Sequence, residues 1–158
     1  MLGALLAKSY GCSNLAVAET NPLRRASIDR AVGCRTFDPR EGGGPRDASV
    51  DYVIDAVGAK ATRTAAFAAI RPGGVIMHVG LQDWSSEIDM RKLTLAEITL
   101  LGTYTYTTAD LRATVRALVD GVFGDLAWVE ERSLKDGARA FADLDEGRAA
   151  AAKIVLRP

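Results

Sequence analysis

The chain has 158 residues, of which 48% are apolar, and its 20 basic and 20 acidic side chains cancel to a formal net charge of zero. That is enough apolar material for one domain with a real core. The charge balance excludes a strong mean field toward nucleic acid or an anionic membrane. Charges or glycines also interrupt every apolar stretch well before the ~20 residues that cross a bilayer. Cys12 and Cys34 form no CxxC pair and His78 is the only histidine, so neither a zinc cluster nor a disulfide framework is expected. The apolar run at residues 1–7 lacks a basic segment before it and reads as a buried helix rather than an export signal. The expectation is a cytoplasmic protein with no membrane or nucleic-acid partner.

In chain order, residues 2–10 predict a helix closed by Gly11, and residues 15–18 a short buried strand. Asn21-Pro22 pairs an N-cap residue with proline at the first helical position, opening a helix over residues 23–32 that stops at Gly33. Residues 35–37 form a brief strand, and the glycine-, proline- and charge-dense stretch 38–49 reads as a surface loop. Residues 50–56 predict a strong strand and 60–70 an alanine-rich helix; Pro72-Gly73-Gly74 then turns the chain into a strand over 75–79. Residues 98–106 have the threonine and tyrosine content of a strand, 109–119 and 136–145 read as helices, and 153–156 as a terminal strand. Residues 121–134 settle on no period. Strands alternating with helices at this spacing point to an α/β protein with a mostly parallel sheet covered on both faces.

Ligands of such a sheet bind beyond the carboxyl ends of its strands, which selects Glu19, residues 55–58 and residues 79–81. Glu19 follows a strand at the place where a carboxylate accepts both hydroxyls of an adenosine ribose and opposes a phosphate there; the alternative is a solvated helix-capping acid. Asp55-Ala56-Val57-Gly58 ends its strand in small residues that let a flat ligand approach the backbone, or forms an ordinary strand-to-helix turn. The same two readings apply to Val79-Gly80-Leu81. His78 and Asp55 have no sequence-local partner that marks a general base. The cysteines read as small core residues rather than thiolates. No serine lies in a GxSxG turn and no GK[ST] loop is present. Tyr104 and Tyr106 alternate onto one face of the expected strand, as a stacking or subunit surface or as part of a core or edge.

The segments Gly3 to Ala7, Val17-Ala18-Glu19-Thr20-Asn21-Pro22, Val53-Ile54-Asp55-Ala56-Val57-Gly58 and Ile70-Arg71-Pro72-Gly73-Gly74 follow one another in a familiar order. Val79-Gly80-Leu81, Leu101-Gly102-Thr103-Tyr104 and Lys153-Ile154-Val155-Leu156-Arg157-Pro158 continue it. Across its whole length the chain resembles the C-terminal, cofactor-binding half of the medium-chain, zinc-dependent alcohol and polyol dehydrogenases. The resemblance implies an incomplete Rossmann-like doubly wound parallel sheet, with residues 1–105 as a truncated dinucleotide-binding domain. Residues 106–158 would supply helices and a strand belonging partly to the catalytic domain. It implies NAD as cofactor, with Gly3 as the last glycine of the phosphate loop and Glu19 on the adenosine ribose. Ala56, Val57 and Gly58 would line the cleft, Val79, Gly80 and Leu81 would lie beside the nicotinamide, and Gly102, Thr103 and Tyr104 would approach its carboxamide. Arg24 and Arg25 stand close enough in sequence to accommodate a 2′-phosphate instead.

Zinc, its ligands and the proton relay would come from an N-terminal domain of the complete enzyme, where the metal polarises the oxygen of a small alcohol or polyol. By this reading the chain begins inside the phosphate loop, binds NAD weakly, holds no metal and no catalytic residue of its own, and is inactive alone. The resemblance also implies a homo-oligomer paired through the sheet edge near residues 98–106. Two alternatives stand beside it: a fragment of the zinc-free quinone or enoyl reductases, and a noncatalytic nucleotide-binding or oligomerisation module.

Overall fold

The computed structural model describes residues 1–158. They form two compact units, one built from Met1–Gly44 with Thr108–Pro158 and the other from Pro45–Thr107. No helix is long and apolar enough to cross a membrane.

In the first unit α1 (Leu2–Ser9) leads to β1 (Ala16–Ala18), α2 (Pro22–Val32) and β2 (Arg35–Phe37). The ends of α2 follow directly from the sequence. Asn21 Oδ1 accepts from the backbone N–H groups of Leu23 and Arg24, Pro22 occupies a position that needs no donor, and Gly33 takes the left-handed conformation that closes the helix. β1 and β2 pair in parallel with Ala18 opposite Phe37. Ala4 and Leu5 of α1 pack with Ile28 and Val32 of α2 and with Phe123 and Trp128 from the later part of the chain. The Trp128 indole N–H donates to Phe123 O at 3.0 Å, so this large ring is buried without an orphaned donor.

The second unit contains β3 (Val50–Asp55), α3 (Lys60–Ala69), β4 (Ile70–His78), α4 (Met90–Leu95) and β5 (Thr99–Gly102). Its sheet is parallel, in the order β3-β4-β5. Val53, Ile76 and Leu100 stand in one lateral row and pack with Ala66 and Phe67 of α3, Ile70 at the start of β4 and Leu93 of α4. Complete burial of side chains such as Ile70 and Ile76 stabilises by roughly 2 to 3 kcal/mol each. One residue further along, Ile54, Met77 and Leu101 form the next row on the opposite face, where Ile54 and Leu101 are exposed.

The chain then returns to the first unit through α5 (Thr108–Val119), β6 (Val129–Ser133), a single 3-10 turn, α6 (Gly137–Asp145) and β7 (Lys153–Arg157), with β6 and β7 parallel.

Parallel strands joined by helices are as expected, but they are distributed over three separate ladders, β1-β2, β3-β4-β5 and β6-β7. Pro72-Gly73-Gly74 lies within β4 rather than before it. The register moves two residues along β3, from Val50 to Tyr52, while it moves five along β4, from Ile70 to Val75, so the extra residues bulge out. The strand expected over residues 98–106 is shorter: it ends at Gly102, and Thr105 adopts a positive φ of 55° that breaks the alternation of Tyr104 and Tyr106. Cys12 is exposed beyond the Gly11 turn rather than a core residue, whereas Cys34 packs against the first core and burial pushes its thiol pKa up.

Candidate functional site

Three of the segments selected from sequence meet at the carboxyl edge of the β3-β4-β5 sheet. Asp55, His78 and Gly102 are lateral neighbours, so the residues that follow each of them leave the sheet side by side. Val79 N and Gly80 N both donate to Asp55 O, Gln82 N donates to Val57 O and Asp83 N to Gly58 O, all at 2.9 to 3.0 Å. These bonds lace the chain after β4 onto the chain after β3. Gly58 and Gly80 lie at the crossing: a Cβ on Gly58 would fall 1.9 Å from Gly80 O, and one on Gly80 would fall 2.0 Å from the Val57 carbonyl carbon. Gly58 also holds a positive φ of 72°, so glycine is required there on two counts.

Above this crossing Ala56, Val57, Val79 and Leu81 are exposed, as are Gly102, Thr103 and Tyr104. Thr103 N donates to His78 O and its hydroxyl to Met77 Sδ, which fixes the start of the third segment against β4. Trp84, three residues past Leu81, is fully exposed.

Asp55 is buried and its carboxylate closes the turn: Oδ1 accepts from Val57 N at 3.1 Å and Gly58 N at 2.8 Å, and Oδ2 accepts from the Thr62 hydroxyl at 3.0 Å. Arg63 was not singled out from the sequence, yet it ties three segments together. Its Nε donates to His78 Nε2 at 3.0 Å, Nη1 to Ser86 Oγ and Nη2 to Asp83 O, both at 2.8 Å. His78 therefore carries its proton on Nδ1 when neutral. Asp55, Arg63 and His78 form the polar end of a cavity of about 200 Å³ whose apolar walls include Phe67, Ile88 and Leu100.

Gly3 and Glu19 belong to the other unit. Gly3 is exposed in the first turn of α1. Glu19 follows β1, half-buried; its Oε1 accepts from Asn21 N at 2.8 Å and its own N–H donates to Phe37 O at 3.0 Å. That leaves Oε2 for a ligand. The two arginines that could donate to a 2′-phosphate are engaged: Arg24 donates to Leu144 O, and Arg25 to Glu19 O, Thr20 O and Asp38. Asp38, the first residue past β2, was also missed in the sequence. It is buried and paired with Arg40, whose hydrogen-bonded guanidinium holds its carboxyl far below the usual carboxylate range. No three His, Cys, Asp or Glu side chains converge as a metal site.

Parallel strands with crossover helices and an open, glycine-lined carboxyl edge define the Rossmann-like class of dinucleotide-binding folds. Within that class, a family model described as zinc-binding dehydrogenase matches residues 1–120, and the chain belongs to this family. No curated protein matches. Among solved structures, acetophenone reductase from Geotrichum candidum in complex with NAD shares 21% identity over 96% of this chain and 43% of its own, with a TM-score of 0.80. The 2R,3R-butanediol dehydrogenase from Bacillus subtilis shares 20% over 99% of this chain and 47% of its own, at 0.84. A Sinorhizobium meliloti protein bound to NADP shares 22% over 99% of this chain and 48% of its own, at 0.81. The chain thus spans less than half the length of these structures.

Proposed function

We propose that the chain is the NAD-binding portion of a zinc-dependent, NAD-linked alcohol or polyol dehydrogenase. The observation that carries the reading is the glycine crossing at Gly58 and Gly80. It holds the segments after β3 and β4 against each other through their backbones, so that Val57, Val79 and Leu81, with Tyr104, are exposed as an apolar shelf for a flat ring. The chemistry supplied by bound NAD is hydride exchange with the alcohol or carbonyl carbon. This chain's part is to hold and orient.

Ala56, Val57 and Gly58 line the cleft, Val79, Gly80 and Leu81 support the nicotinamide, and Gly102, Thr103 and Tyr104 approach its carboxamide. In the first unit Gly3 serves the pyrophosphate and Glu19 accepts the ribose hydroxyls through Oε2. Residues 1–105 are the cofactor portion, and 106–158 belong partly with the catalytic domain of the complete enzyme, where zinc and a small alcohol or polyol would meet. β5 is an edge strand of its sheet, which supports pairing of subunits there.

Calorimetric titration of the chain with NAD and NADP tests the reading. NAD should bind more tightly. Glu19→Ser should weaken NAD and reduce discrimination against NADP, since one acceptor and one repulsive charge are removed together. Absence of NAD binding, or unchanged preference in Glu19→Ser, would count against it.

A further inference from the structure

We propose that Asp38 is the positioning residue that sets cofactor choice: it pins Arg25 and Arg40 beside the Glu19-Thr20 turn and cancels their charge, so that no guanidinium is free to receive a 2′-phosphate. The inference rests on the role of Glu19 proposed above and adds a residue to it.

Because Ala18 pairs with Phe37, Glu19 and Asp38 are the first residues beyond two neighbouring parallel strands and share one carboxyl edge. Their side chains have opposite surroundings. Glu19 is half-open to solvent, whereas the Asp38 side chain is only 2% exposed. A carboxylate buried to that degree needs full compensation, and two arginines provide it. Arg40 grips it with both edges, Nε to Oδ1 at 2.9 Å and Nη2 to Oδ2 at 2.6 Å, and adds its backbone N–H to Oδ1 at 3.0 Å. Arg25 Nη1 reaches Oδ2 at 3.2 Å.

The same guanidiniums continue onto the turn that carries Glu19. Arg25 Nη1 donates to Glu19 O at 2.7 Å and Thr20 O at 3.0 Å, and Arg40 Nη2 donates to Thr20 O at 2.9 Å. Glu19 and Asp38 against Arg25 and Arg40 give a local charge of zero. Without Asp38 the same patch carries a net positive charge, and Arg40, 69% exposed on a flexible stem, gains the freedom to present its fork to phosphate oxygens. A merely structural Asp38 would affect both cofactors alike. A charge-cancelling one affects the phosphorylated cofactor more.

The test titrates the full chain with NAD and NADP at low and high salt, as wild type, Asp38→Asn and Asp38→Asn with Arg40→Gln. In Asp38→Asn the NAD-to-NADP affinity ratio should narrow on the order of five- to tenfold, the size of one unit charge acting near the surface, and high salt should shrink the change. Adding Arg40→Gln should restore most of the ratio. Should Asp38→Asn not fold, Arg40→Gln alone decides: Asp38 then keeps uncancelled charge and the ratio should widen a few-fold. An unchanged ratio in the folded variant, equal weakening of both cofactors, or a wild-type preference for NADP overturns the assignment. Wild-type chain that binds neither cofactor defeats this inference and the proposed function together; NAD binding that depends on Glu19 but ignores Asp38 defeats this one alone.

Discussion

The strand ends of the two units are held by different physics. After β3 and β4 the chain is fixed by contact: two glycines pass so closely that no side chain fits between Val57-Gly58 and Gly80-Leu81, and backbone hydrogen bonds seal the crossing. After β1 and β2 it is fixed by charge, through two guanidiniums on one buried carboxylate and the carbonyls of Glu19 and Thr20. Contact of the first kind tolerates no added atom and responds little to solution conditions. Charge pairing of the second kind accepts small changes in shape but responds to salt and pH.

The sharpest way to break this contrast is to add one methyl group. Gly58→Ala should cost about 3 kcal/mol or more, from overpacking and from a non-glycine residue at positive φ. Gly102→Ala should change stability by less than about 1 kcal/mol, since a Cβ at Gly102 would meet nothing within 4 Å. Urea unfolding followed by circular dichroism checks both, and equal costs would refute the contact argument. Next in size, Asp55→Ala leaves the backbone donors of Val57 and Gly58 without their acceptor and should cost about 1 to 3 kcal/mol.

On the charged side, Asn21→Ala removes a cap that serves Leu23 N and Arg24 N and a bond from Nδ2 to Gly147 O, with a loss of about 1 kcal/mol. A smaller effect concerns acid. The carboxyl pKa of Asp38 is depressed in the folded chain, so its contribution is fully present above the ordinary aspartate value of about 4 and is lost as pH falls below it. Protection of the Glu19 amide, measured against its intrinsic exchange rate at each pH, should therefore fall in acid before protection of Val79 and Gly80 does. Asp38→Asn should flatten that pH dependence.

Much of this was legible from residue order. Asn21-Pro22 and Gly33 bound a helix because capping is local chemistry, and the strand ends at Ala18, Asp55 and His78 are legible to within one residue because apolar runs stop there. What escaped depends on contacts between distant residues. Gly58 and Gly80 were each open to two readings, since neither reveals in sequence that it crosses the other. Asp38 lay in a charge-dense stretch that reads as solvated. Its ion pairs with Arg40 and Arg25 emerge only once the chain is folded. β6 was missed because its Glu-Glu-Arg centre is held by salt bridges to Arg157 and Asp143 rather than by an apolar face. Arg63 gave no signal, because its three partners come from β4 and the segment beyond it.

The two tryptophans divide between the units, Trp128 in the first with 6% exposure and Trp84 in the second at full exposure. Such a pair makes the protein its own fluorescence instrument. Trp84 emits as an indole in water and is open to acrylamide, whereas Trp128, shielded and bonded to the Phe123 carbonyl, emits to the blue and resists quenching. Each colour reports on one unit. Ligand settling beside Leu81 would dim the red component, and melting of the core around Val32 and Phe123 would erase the blue one, so a single unlabelled sample can show which half of the molecule responds.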